Sequence, residues 1–154
     1  MVSLISRDED IRASVLGHLE HADQGIIAVM PVTLWVWDGA ADINTSGSAF
    51  WIEPTIRFVD DRPSRGALEQ DVQIEVGVAV RDGGSDIHKR EQIAALVSDA
   101  LKMARIVVGD HSGGNAGTAV GHLRVQTVRR VNQGKVNGIH RAVVLADAIY
   151  WPGA

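Results

Sequence analysis

Asp110-His111-Ser112 holds, in three consecutive positions, every residue type of a hydrolytic triad. The chemistry needs each side chain to meet the next in a fixed chain of hydrogen bonds, which adjacent residues rarely do. There is also no G-x-S-x-G elbow to expose a serine at a strained strand-to-helix turn. His18 and His21 are three apart, a spacing that puts both on one helical face, with Glu20 or Asp23 at the rim. They lack the H-E-x-x-H pattern and an assured third ligand, so surface histidines are the plainer account. His88, His122 and His140 fall in separate elements, and the Asp60-Asp61 pair has no spacing that fixes a shared acid/base role. Gly109 to Thr118 has four glycines in ten residues but no lysine, so it is not a phosphate-cradling loop, and G-x-G-x-x-G is absent. With 0 cysteines, thiol nucleophiles, disulfides, Cys-type zinc sites and iron-sulfur ligation are excluded. No cofactor or metal is expected, and the chain does not read as an enzyme.

The remaining chemistry is that of contact surfaces. Arg124, Arg129, Arg130, Lys135 and Arg141 make the second half locally basic, although the whole chain carries a net charge of -4. Arginines of this kind suit bidentate pairing with carboxylates across a subunit contact or on a solvated sheet face. Without interleaved aromatics they do not form a platform for single-stranded nucleic acid, and no specific nucleic-acid recognition is expected. Trp35, Trp37, Trp51 and Trp151 are more tryptophan than a small core requires, and this residue is favoured where proteins meet. The candidate interface set is Trp37, Trp51, Asp60, Arg62, Arg65, Arg124, Arg129, Arg130, Arg141 and Trp151.

The elements that must position these residues fit one domain spanning all 154 residues. Acidic residues follow the first apolar positions at once, so neither a signal peptide nor a membrane anchor is expected, and no apolar run is long enough to span a bilayer. Ser6 and Glu9 have capping-box spacing, and Ile11, Val15, Leu16, Leu19 and Ala22 recur at helical intervals, which predicts a helix from Arg7 to His21 ending before Gly25. Ile26 to Val29 and Val32 to Trp37 read as one strand bent at Pro31 or as two short ones. Asp38 to Ala49 reads as an exposed loop, Phe50 to Val59 as strand and Asp60 to Glu69 as a polar connection.

Val72, Ile74, Val76, Val78 and Val80 alternate with Gln73, Glu75, Gly77, Ala79 and Arg81, the pattern of a strand with one face on a core. After a turn at Asp82 to Gly84, Ser85 or Asp86 caps a second helix carrying Ile93, Leu96, Val97, Leu101 and Ala104. Gly109 to Thr118 is expected to be a mobile loop. Strands over 120–131 and 139–150, joined by a turn from Asn132 to Gly138, are expected to form a hairpin. The class is α+β: an antiparallel or mixed sheet packed against two helices.

This layout resembles the tail terminator, or tail completion, proteins of long-tailed bacteriophages. The likeness rests on the capped first helix, the strand-and-loop stretch Val32 to Phe58, the long strand Asp71 to Arg81 and the helix Ser85 to Ala104. The resemblance implies a structural virion protein without chemistry, built in the host cytoplasm and located in the tail or neck. It implies self-association into a ring, often a hexamer, that caps the tail tube, ends its polymerisation and joins the head-tail connector. Asp38 to Ala49 and Asp60 to Glu69 would then be contact loops, with Gly109 to Thr118 ordering on assembly. The terminal YWPGA and the arginine-bearing last hairpin depart from the simplest family pattern and leave another neck or completion role open. A non-viral binding or scaffolding domain and a small hydrolase are the competing readings.

Overall fold

The strand with the cleanest alternation sits second in a five-stranded sheet of order β1-β2-β5-β4-β3. The structure, a computed structural model, describes residues 8–30, 35, 50–59, 69–81, 87–110, 118–136 and 138–153. In chain order the elements are α1 (Asp8–Glu20), a 3-10 turn (Ala22–Gln24), α2 (Ile26–Val29), β1 (Phe50–Val59), β2 (Gln70–Arg81), α3 (Ile87–Leu101), β3 (Arg105–Gly109), β4 (Ala119–Val136) and β5 (Ile139–Pro152). All four ladders are antiparallel, and Trp35 adds an isolated parallel bridge to Ile52 at the edge of β1. The α+β class is as expected.

Both long helices lie on one face of the sheet. α1 packs on β3 and β1, while α3 crosses β2, β5 and β4. Ile11, Val15 and Leu19 of α1 and Ile93, Val97 and Leu101 of α3 meet a carpet of even-numbered β2 and β5 residues, from Val72 to Val78 and from Ala142 to Tyr150. The period-two alternation of β2 therefore encodes the buried face directly. His18 Nε2 lies 2.7 Å from the Ala100 carbonyl oxygen, which ties the end of α1 to the end of α3.

Three expectations are corrected. Ile26 to Val29 is a single helical turn rather than a strand. Gly25 at φ 76° closes the 3-10 turn and restarts the chain, Met30 N–H donates to Ile26 O at 2.8 Å, and Ile26 is buried in the helical layer. Tertiary packing overrides the strand preference of a short branched run. α3 stops at Leu101 instead of Ala104, because Met103 takes φ 56° and reverses the chain into β3, a strand the sequence reading did not assign between that helix and the Gly109 to Thr118 loop. The predicted turn from Asn132 to Gly138 is mostly strand. β4 runs to Val136, which faces Ile139, and absorbs the glycine as a bulge at 132–134 with Gly134 at φ 74°. Trp37, the 38–49 loop, residues 60–68 and residues 111–117 lie outside the described residues.

Candidate functional site

The sheet face away from the helices is built from the odd-numbered residues of β1, β2 and β5. Antiparallel register brings Trp51 of β1 opposite Ala79, and Ala79 opposite Arg141 of β5. Trp51 is only 2% exposed, packed with Ala79 and Ile139 beneath the Arg81 guanidinium, whose carbon lies 5.1 Å from the ring centroid. Its Nε1–H donates to Glu53 Oε1 at 2.8 Å, and Glu53 Oε2 accepts from Arg141 Nη2 at 2.8 Å. Arg141 in turn lies flat over Gly77, where a Cβ would come within 2.6 Å of Nη2. Arg57 pairs with Glu75 at 3.1 Å, and Thr127 donates to Asp147 at 3.1 Å on the same face. This half of the face carries paired polar groups, with Glu53 and Arg141 linked to the buried Trp51 and the other two pairs separate from them. Among the predicted contact residues, Trp51 and Arg141 are thus held inside the subunit by partners of their own.

The other half, on β3 and β4, is organised differently. Arg105 stands directly opposite Arg124 in the β3–β4 ladder. Two like charges at a cross-strand position repel, by up to about 1 kcal/mol. His122, two residues before Arg124, faces Val107 on one side and Trp151 on the other. Loss of solvent, then Arg105 and Arg124, hold its imidazole below the ordinary histidine value, so it is neutral at pH 7. A bulge at 125–127 shifts the parity of β4, so that Arg129 faces Leu145 on the same side as Arg124 while Arg130 faces Val144 on the helical side. All four arginines are exposed, and among the described residues none of them makes an ion pair or a side-chain hydrogen bond.

Of the predicted arginines, Arg124 and Arg129 therefore share the face away from the helices while Arg130 lies on the helical side, and Trp151, 37% exposed, stands at the far end of the same hairpin. Arg105 was missed because it lies between the helix read to Ala104 and the loop read from Gly109, a stretch given no element. Asp60, Arg62 and Arg65 lie outside the described residues. So do His111 and Ser112. His18 and His21 do not converge: His18 bonds to Ala100, and His21 Nδ1 accepts from Asp23 N–H at 3.2 Å. Among the described residues no three His, Asp or Glu side chains are grouped to hold a metal ion.

No protein-family model and no curated protein matches the sequence. Solved structures share its fold. One chain of the virion of a native gene transfer agent particle superposes with a TM-score of 0.64 at 19% identity, covering 96% of this chain and 98% of that one. A second solved chain, whose name carries no functional description, gives a TM-score of 0.63 at 16% identity, covering 96% of each chain. The likeness covers nearly the whole chain rather than a local motif, and it is a likeness of fold.

Proposed function

We propose that this chain is a structural subunit of a virion tail or neck, acting without catalysis. It assembles as a ring, with six copies the expected number, on the end of a tail tube, ends tube growth and presents the joining surface to the head-tail connector. The observation that carries this reading is the full-length fold likeness to a chain of a gene transfer agent virion, at a TM-score of 0.64. The division of the surface supports it. Paired charges around Trp51 stabilise the subunit, while four arginines without counter-ions among the described residues are left for something outside it. The loops 38–49 and 60–69 are the proposed contacts to tube or neighbouring ring.

The test is addition of the purified protein to growing tail tubes of its own particle, followed by negative-stain imaging and mass measurement of the free protein. Tubes of bounded length with a ring of density at one end are the expected result. Tubes that grow unchanged and carry no added density remove the assignment.

A further inference from the structure

We infer that the β3–β4 side of the subunit is its contact with a second copy of this chain, joined head to tail; the inference rests on the ring reading above. Three observations meet there. The first is an unpaired edge. β3 covers β4 only from Ala119 to Arg124, the last link being Val125 N–H to Ala104 O at 2.9 Å, and among the described residues no strand pairs with the outer side of β4 over 126–134. Nine residues of edge extend about 30 Å. The second is charge. Among the described residues, Arg105, Arg124, Arg129 and Arg130 have no acidic partner. The third is exposed apolar surface. Of the four large hydrophobic side chains most exposed among the described residues, Met103 at 86%, Val107 at 54% and Val131 at 39% lie on the turn before β3, on β3 and on the bare part of β4. Methionine and arginine together are a composition that protein interfaces favour.

Charge distribution identifies the occupant. Residues 105–136 contain five Arg or Lys against one Asp, a balance of +4; the chain total of -4 leaves -8 on the remainder. A surface so divided attracts the acidic remainder of another copy and repels its own kind. Two β4 edges laid against each other would oppose Arg129 and Arg130 with the same residues, so the symmetric strand-to-strand dimer is disfavoured. Contact between unlike patches is what builds a closed ring instead of a two-fold dimer.

The experiment compares wild type with two double variants, Arg129→Glu/Arg130→Glu and Arg105→Glu/Arg124→Glu, by mass photometry and light scattering over a concentration series, with and without tail tubes. Circular dichroism checks folding. Hydrogen exchange on wild type reads the edge directly, whatever becomes of the variants. The expected result is self-association shifted at least about tenfold to higher concentration in both variants, reduced association of wild type in high salt, and amides 126–134 that exchange more slowly in the assembly than in the monomer. If wild type associates and the variants follow it unchanged, with amides 126–134 equally open in both states, the inference falls and the ring reading stands. Variants that associate normally but lose tube binding also overturn it, since the patch then faces the tube. A wild type that neither associates nor binds tubes takes both down.

Discussion

Two strand glycines make a paired prediction about what each face of the sheet tolerates. A Cβ added at Gly121 on β4 would lie 2.5 Å from the Trp151 carbonyl oxygen, 2.5 Å from Tyr150 Oη and 2.7 Å from Tyr150 Cε1. The first of these is backbone of the neighbouring strand and cannot rotate away. Gly121→Ala should therefore cost the overpacking typical of a filled core, about 1 to 3 kcal/mol. It also threatens the Tyr150 Oη–H to Val120 O bond of 3.2 Å, worth about 1 kcal/mol. The better strand preference of alanine returns roughly 0.5 to 1 kcal/mol, for a net loss of about 1 to 3.5 kcal/mol, centred near 2. At Gly77 the closest atoms are Arg141 Nη2 at 2.6 Å, Nε at 2.8 Å and Cζ at 3.1 Å, the far end of a flexible side chain. Gly77→Ala can displace that guanidinium at the expense of a part-exposed ion pair worth at most about 1 kcal/mol, which the alanine largely offsets. Urea unfolding followed by tryptophan fluorescence should place Gly121→Ala about 2 kcal/mol below Gly77→Ala, or roughly 4 to 8 °C in Tm. Adding Tyr150→Phe to Gly121→Ala should recover only part of the loss, because the Trp151 oxygen remains. Equal midpoints for the two alanine variants, or Gly77→Ala as the less stable, would refute the assignment of backbone and side-chain contacts on which the estimate rests.

Burial holds the Glu20 carboxyl above the usual range, so the folded state binds its proton more tightly than the unfolded chain does. Its ionisation costs stability as pH rises through that window; Glu20→Gln should raise Tm at pH 7, and the advantage should vanish at a pH below the unfolded carboxylate value. Arg124→Gln removes one of the charges that depress His122, so its imidazole should titrate at higher pH by NMR. The sign for stability is opposite to that of Glu20: a lowered histidine loses stability as pH falls from the ordinary imidazole value toward the folded one, and Arg124→Gln should shrink that loss. Trp51→Phe keeps a ring beneath Arg81 but gives up the bond to Glu53, about 1 kcal/mol, whereas Trp51→Ala should cost about 3 to 5 kcal/mol in chemical denaturation.

What could be read from the residues follows from how far each signal reaches along the chain. β2 was legible because five branched residues alternate without a break, and all five are buried. The final hairpin and the basic character of β4 were legible for the same reason. The bulge at 125–127 was not: Gln126 has no turn chemistry to mark it, yet it decides that Arg129 rather than Arg130 shares a face with Arg124. Gly134 was conspicuous but misleading, since a glycine with φ 74° serves a bulge as readily as a turn. β3 is 5 residues long and follows a helix whose apolar spacing continues plausibly into Ala104, so no periodicity could separate them. Trp51 was rightly placed on a strand, but its burial depends on Arg81 and Ile139, which register alone brings to it.

The bare length of β4 follows from the crossover rather than from any local signal. The connection from β2 must reach β3 at the opposite edge, passing over β5 and β4. Three strand spacings are about 14 Å, a span that the 15 residues of α3, about 22 Å long, can cover, and the helix packs on β2, β5 and β4 along the way. Met103, in the left-handed region at φ 56°, reverses the chain there, and Ala104 O meets Val125 N–H, which fixes the level at which β3 can begin. From that level the chain can cover only the start of β4, because β3 runs antiparallel toward Ala119. Everything on β4 past Val125 is left without a neighbour from its own crossover. A strand edge in that position must be charged or occupied to avoid indiscriminate pairing. Arg129 and Arg130 meet the first requirement and, by having no counter-ion among the described residues, create the second: they exclude a like edge and leave the place open to an acidic one.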